Sequence, residues 1–420
     1  MSHASSLPTR RTPPGRPSAA LRLIPARWER VVLVEGWLIS RIILLTAALS
    51  VAHSQQVPLA DVFARWDAGH FLGIAAQGYF EKTETAFFPG LPLVIAAFGG
   101  LGVAPVAAGA ITSTIASGFA AWALYRLAGR GSAGVVAALL WCFAPMAVFT
   151  VVPYSESLFC AFAFWAFVSM REGRWRRAGG LAAAACLMRV SGLFLLGALA
   201  LAALLGEGSD DAAPAEASRF PSKEEWLARL RRLAWIIPGV AVLTVYAAYL
   251  KAVYGSWTTW FQAQSEGWFR GFHWPWEALT QTLSAAGISG PSTQGDNAII
   301  FALELVAILI GLIVTVVCLV RRRWVDGAWV GVQVIAFSFQ VWFISVARAV
   351  LLWFPVWTLI GLATTRRPRA LAAGAVGPAH GALNRSDLWI RRACLALILI
   401  AETIFMVWWA RRFFSGAWAS

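Results

Sequence analysis

An all-α bundle of membrane-spanning helices is the fold class this sequence predicts, and three observations predict it. Apolar residues fill 59% of the 420 positions and charged residues only 13%, against roughly 25% charged in a water-soluble domain; the mean hydropathy is +0.65. The apolar residues gather in repeated, near-continuous runs of about 18–25, long enough to cross a bilayer as helices. Arginines stand at the ends of those runs. The net charge of +14 therefore reads as membrane topology and attraction to anionic headgroups, and nucleic acid is set aside as a partner.

Charge placement orders the elements. Residues 1–30, rich in Arg, Pro and Ser, are expected to form a disordered cytoplasmic N-terminus, with Arg22, Arg27 and Arg30 holding it inside. Val31–His53 then leaves the cell as a retained anchor. Arg126 and Arg130 mark the next inner end, so Val103–Leu127 runs inward. Phe87–Leu101 therefore cannot span, and residues 61–102 form one external excursion with interfacial helices. Ser132–Val151 and Pro153–Met170 make a hairpin whose external tip is Pro153-Tyr154-Ser155-Glu156, returning to Arg171, Arg174, Arg176 and Arg177.

Ala178–Leu205 has basic flanks on both sides and is expected as two short helices meeting near Arg189–Gly192. A cytoplasmic loop over 206–232 holds the acidic stretch Glu207–Ala217 and the amphipathic Glu224–Leu233. Leu233–Lys251 leads out to a Trp-rich external loop, 254–297. Ala298–Val320 returns to Arg321-Arg322-Arg323, and Gly327–Val346 goes out. Ala349–Thr365 comes in to Arg366, Arg367 and Arg369, and Leu388–Ala410 goes out again. The count is about eleven transmembrane segments in one domain, 31–420, with the C-terminus outside. Arg411 and Arg412 then break the positive-inside rule. Cys142, Cys160, Cys186, Cys318 and Cys394 lie in or beside apolar runs with no metal-ligand spacing and no disulfide framework.

Chemistry enters at Arg65-Trp66-Asp67-Ala68-Gly69-His70-Phe71, just outside the first span. Asp67 and His70 share a face if the segment is helical. A carboxylate at the outer mouth of an apolar bundle can take the proton from an acceptor hydroxyl as it attacks a sugar's anomeric carbon. It can equally be a surface aspartate capping a juxtamembrane helix. A zinc site from Asp67 and His70 lacks a second His or Cys nearby.

The stretch Trp66-Asp67-Ala68-Gly69-His70-Phe71, continuing through Gly78-Tyr79 to Ala86-Phe87-Phe88-Pro89 and Pro92, resembles the first luminal loop of the phosphatidylinositol-glycan class V (PIG-V) mannosyltransferases. Pro153-Tyr154-Ser155-Glu156-Ser157-Leu158 is similar to that family's second external loop, and Ser345-Val346-Ala347-Arg348 with Phe354-Pro355 to a late motif. Gly90 and Ala349 depart from the pattern, standing where Leu and Tyr are usual. The resemblance spans residues 37–360. It implies a GT-C fold and a polyprenyl-phosphate sugar donor. It also implies Asp67 as catalytic base and an α-mannoside formed with inversion.

Around Asp67 the candidate set divides by chemistry. Arg348, Arg189 and Lys251 are candidates for the donor phosphate, Arg348 because a guanidinium fork matches a phosphate diester; snorkelling or structural pairing are the alternatives. Trp66, His70, Tyr79, Tyr154, Glu156 and His273 are candidates for binding or orienting substrate. Glu156 can instead favour a helix N-terminus, and the loop tryptophans can form an interfacial belt. No cofactor is expected, and a metal is unnecessary if arginines neutralise the phosphate. The expected partners are the polyprenyl-phosphate donor, a glycolipid acceptor and the bilayer. The expected location is the cell membrane with an extracytoplasmic active site, and the oligomeric state stays open. A lipid-linked sugar transporter is the alternative, for which inverted repeats would speak; none is visible. An acyl or phosphoethanolamine transferase would need a nucleophile or metal cluster that the sequence does not display.

Overall fold

The computed structural model describes residues 27–208, 222–365 and 385–419. Most of the N-terminal segment, the bulk of the acidic stretch and the arginines at 366–369 lie outside them. Among the described residues the chain forms eighteen α-helices and no strand. The first external excursion follows α1 (Arg27–Gln55) and folds into α2 (Leu59–Phe63), α3 (Asp67–Gln77) and α4 (Gly90–Gly99). The next group is α5 (Pro105–Leu127), α6 (Gly131–Cys142), α7 (Glu156–Arg171), α8 (Trp175–Met188) and α9 (Gly192–Leu205). The amphipathic α10 (Lys223–Ala234) runs into α11 (Ile237–Tyr254), and the Trp-rich loop holds α12 (Thr259–Trp268) and α13 (Pro275–Ala285). Then come α14 (Ala298–Val320), α15 (Trp324–Ser338), the single turn α16 (Val346–Ala349), α17 (Phe354–Thr365) and α18 (Arg385–Phe414).

The boundaries follow local chemistry. Pro105 opens α5 with its φ already helical. Ser222 and Glu225 form a reciprocal capping box at α10, the serine hydroxyl accepting from the Glu225 N–H and the glutamate accepting from the Ser222 N–H. Gly206 closes α9 at φ 76°, a left-handed position that glycine adopts without strain. The α8/α9 break at Arg189–Ser191 is where the basic flanks predict it. Two other expected spans are interrupted. Pro145 ends α6 and starts a 3-10 turn over Pro145–Thr150, because proline supplies no N–H to continue the ladder. The segment expected as Gly327–Val346 leaves helical geometry after Ser338.

Five helical stretches are long and apolar enough to cross a membrane: Arg27–Gln55, Pro105–Leu127, Lys223–Tyr254, Gly295–Val320 and Trp389–Phe414. A sixth is counted if Val346–Leu352 and Phe354–Thr365, bent by 66°, form one span. The chain is a polytopic helical membrane protein. Its helices close through small residues. A Cβ at Gly361 would stand 2.4 Å from the Ala133 carbonyl oxygen, and one at Gly134 would stand 2.5 Å from that of Tyr125.

Several polar groups inside the bundle are paired across helices, as a hydrocarbon surround favours. Buried Arg41 of α1 donates to Ser117 at 3.3 Å, to the Thr150 hydroxyl and to the Cys142 carbonyl at 3.1 Å. The bend before α17 frees backbone carbonyls, and indoles take them. Trp141 Nε1 donates to Leu351 at 2.9 Å, Trp329 Nε1 to Leu352 at 3.1 Å, and Trp357 Nε1 to Val350 at 3.3 Å. This fixes the chain immediately after Arg348.

Candidate active site

Asp67 is the first residue of α3. The turn that delivers it is held by Trp66 at φ 58°, a left-handed conformation unusual for a bulky residue. The Asp67 N–H donates to the Tyr154 hydroxyl at 3.0 Å. Tyr154 is buried at the tip between the Pro145–Thr150 turn and α7. Burial, and then the charge of Asp67, pushes its pKa well above the usual tyrosine value.

Arg348 Nη1 donates to Asp67 Oδ2 at 3.0 Å. Among the described residues Oδ1 of Asp67 has no protein partner. Arg348 Nε stands 3.3 Å from Glu156 Oε1, and its guanidinium lies over the rings of Phe149 and Tyr154, 5.3 and 5.7 Å from their centroids. Glu156 is completely buried and also receives Arg189 Nη1, which shares its donation with the Ser155 hydroxyl at 3.2 Å. Asp67, Arg348, Glu156 and Arg189 thus form one alternating chain of charge. Burying a carboxylate such as Glu156 is tolerable only with such pairing.

Arg348 is aimed by its own turn. Ser345 sits at φ 61°, and the fully buried Glu304 of α14 accepts from the Ser345 and Ala347 N–H groups at 3.0 and 2.8 Å. A carboxylate here satisfies the N–H groups that a helix start leaves unpaired. Glu304 and Arg270 are site residues that the sequence reading missed. Arg270 follows α12 and reaches inward to donate from Nη2 to the Ser345 hydroxyl at 3.3 Å. Burial, and then the neighbouring Arg348 charge, pushes its pKa down to about 10.

Two cavities meet at the Asp67–Arg348 pair. The smaller, about 90 Å³, is walled by Asp67, Tyr154, Arg189, Arg270, Arg348 and Trp268. The larger, about 430 Å³, is walled by Asp67, Arg348, Trp66, His70, Trp268 and Trp418. A third, apolar groove of about 590 Å³ runs between α14, α17 and α18 from Ala347, next to Arg348, to Arg321.

The predicted residues divide accordingly. Asp67, Arg348, Arg189, Tyr154 and Glu156 come together; Trp66 and His70 line the larger cavity, His70 stacked on Phe87 with ring centroids 4.9 Å apart. Tyr79, Lys251 and His273 are elsewhere. Tyr79 donates to the Phe87 carbonyl at 2.8 Å and packs with Tyr246 and Tyr249. Lys251 Nζ donates to the Gly255 carbonyl at 2.6 Å, closing its own helix. His273 pairs its backbone N–H with Phe339 at 3.3 Å. Among the described residues no three His, Cys, Asp or Glu side chains converge with metal-ligand spacing.

The family described as Mannosyltransferase (PIG-V) matches residues 37–207. GPI alpha-1,6-mannosyltransferase 2 of Mus musculus is 36% identical over 151 residues, 32% of this chain and 30% of that protein. The Rattus norvegicus protein of the same name is 35% identical over 151 residues, again 32% of this chain and 30% of the relative. GPI mannosyltransferase 2 of Schizosaccharomyces pombe is 31% identical over 138 residues, 31% and 30% of the two chains. The matched stretch thus spans under a third of each relative's length. The matched residues 37–207 hold Asp67, Tyr154, Glu156 and Arg189, whereas Arg270, Glu304 and Arg348 lie beyond them. Over residues 37–207, which carry Asp67, Tyr154, Glu156 and Arg189, this membrane protein is similar to the PIG-V mannosyltransferases.

Proposed function

We propose that the chain transfers mannose from polyprenyl-phosphate mannose to a hydroxyl of a glycolipid or glycan at the outer face of the cell membrane, forming an α-mannoside with inversion. The observation that carries this reading is the place of Asp67, one oxygen tied to Arg348 and the other without a partner among the described residues, where two cavities meet. The acceptor occupies the larger cavity, among Trp66, His70 and Trp268, whose rings suit a sugar face. Asp67 takes the acceptor proton as the oxygen attacks the anomeric carbon. The bond from that carbon to the phosphate oxygen breaks, and polyprenyl phosphate leaves against the arginines of the smaller cavity. The carrier's isoprenoid tail lies in the apolar groove that begins beside Arg348.

In this reading the architecture is of the GT-C type with about eleven membrane passes, the shorter helices crossing as parts of broken spans. The names of the relatives, which act on GPI, make a glycolipid the first acceptor to try. The similarity of residues 37–207 to a mannosyltransferase family supports group transfer over transport of a lipid-linked sugar. The test is incubation of purified protein with polyprenyl-phosphate mannose and a panel of membrane glycolipids. Asp67→Asn is expected to lose at least about 100-fold in kcat. Turnover by that variant near the wild-type rate would remove the base assignment. Lipid scrambling across vesicles with no new glycosidic bond would support the transporter.

A further inference from the structure

We propose that Arg270 binds the phosphate of the lipid carrier in the small cavity beside Asp67, an assignment that rests on the mannosyl-transfer reading above. Of the three guanidinium groups on that cavity, two are already committed. Arg348 holds Asp67 and Glu156, and Arg189 holds Glu156. Arg270 holds no carboxylate: among the described residues its guanidinium makes one hydrogen bond, to the neutral Ser345 hydroxyl. Its Nε is buried with no partner. A half-buried guanidinium with no carboxylate bonded to it has its charge only partly compensated, so the position invites an anion from outside the protein. The depressed pKa has the same origin, since burial and the Arg348 charge act on it with no carboxylate bonded to it.

The backbone supports the same assignment. Phe269, immediately before Arg270, is held at φ 54°, strained for a residue with a side chain. That turn sends the arginine inward while Phe269 and Phe272 on either side stay exposed. A loop with aromatic rings facing out and one guanidinium facing in fits a site whose ligand has its phosphate in the protein and its tail in lipid. Arg270, Arg189 and Arg348 wall the same small space, so a phosphate held there by Arg270 has two further guanidinium groups around it.

Equilibrium binding of labelled polyprenyl phosphate, the matching polyprenol and inorganic phosphate to detergent-purified full chain tests this. Arg270→Gln is expected to weaken polyprenyl phosphate by at least about ten-fold while leaving polyprenol unchanged, and Arg270→Lys to fall between. Equal weakening of polyprenol and its phosphate means a structural role and overturns the assignment, as does unchanged binding of both. Loss confined to inorganic phosphate overturns it too. If Arg270→Gln fails to elute as a single species, Arg270→Lys carries the comparison under the same criteria. Binding through Arg270 in a wild-type protein that moves no mannose leaves this site standing and removes the transfer reading. Mannose transfer with a donor KM unmoved by Arg270→Gln does the reverse.

Discussion

Tyr154 shows how one hydroxyl positions the proposed base. Its oxygen accepts the N–H of Asp67 at the first position of α3, where a helix has no partner of its own to offer. Replacing it by phenylalanine leaves that N–H unpaired in a half-buried place, at about 1–3 kcal/mol. Tyr154→Phe is therefore expected to lower kcat by roughly ten-fold or more with donor KM nearly unchanged, in an assay of mannosyl transfer. An altered KM with intact kcat would place Tyr154 on the substrate instead. The sequence exposed Asp67, Arg348, Arg189, Tyr154 and Glu156 because charges and tyrosines near helix ends are rare in so apolar a chain. It hid Arg270, which lies among phenylalanines and tryptophans in a loop whose composition speaks only of the membrane interface. Lys251 misled for the converse reason: its position matches an outer helix end, but its ammonium closes its own C-terminus.

At the scale of elements, the single turn of α16 is the piece most dependent on outside support. Four residues cannot hold a helix by themselves, and Ser345 adds a left-handed backbone at its start. Glu304 supplies what the turn lacks through the Ser345 and Ala347 N–H groups. Glu304→Ala strips both bonds, at about 2–4 kcal/mol if neither is replaced. The expected result is a lower thermal midpoint in detergent, with a fall in kcat because Arg348 rides on this turn. A variant with unchanged midpoint and unchanged kcat would show that the indole bonds to Leu351 and Leu352 suffice. Periodicity and charge located α1, α5, α14 and the α8/α9 break, since long apolar runs and flanking arginines state their ends. The interruption after Cys142 carried a sign in Pro145, hidden by the apolar run on either side of it, and the one after Ser338 had no proline or charge to mark it.

For the whole molecule, two polar ends define which way it sits. Glu156 and Arg171 bound α7, about 22 Å apart along its axis. The Glu156 end gathers Asp67, Arg189, Arg270 and Arg348. The Arg171 end gathers a separate set, with Arg171 on Asp326 at 2.7 Å, Arg323 on the same aspartate, and Arg126 on Glu172. α8 repeats the polarity, with Arg174, Arg176 and Arg177 at one end and Arg189 at the other, and α14 ends in Arg321-Arg322-Arg323. Basic flanks are retained on the cytoplasmic side, so the proposed function has the arginine-rich set facing in and the Asp67 set facing out. Gln77, exposed at the end of α3, and Lys223, exposed at the start of α10, report the two sides. In a Cys394→Ser background, where the remaining cysteines are buried, a membrane-impermeant maleimide is expected to label Gln77→Cys on intact cells. Lys223→Cys should react only after permeabilisation. The opposite pattern would put Asp67 in the cytosol, where a polyprenyl-phosphate sugar displayed on the outer leaflet could not reach it.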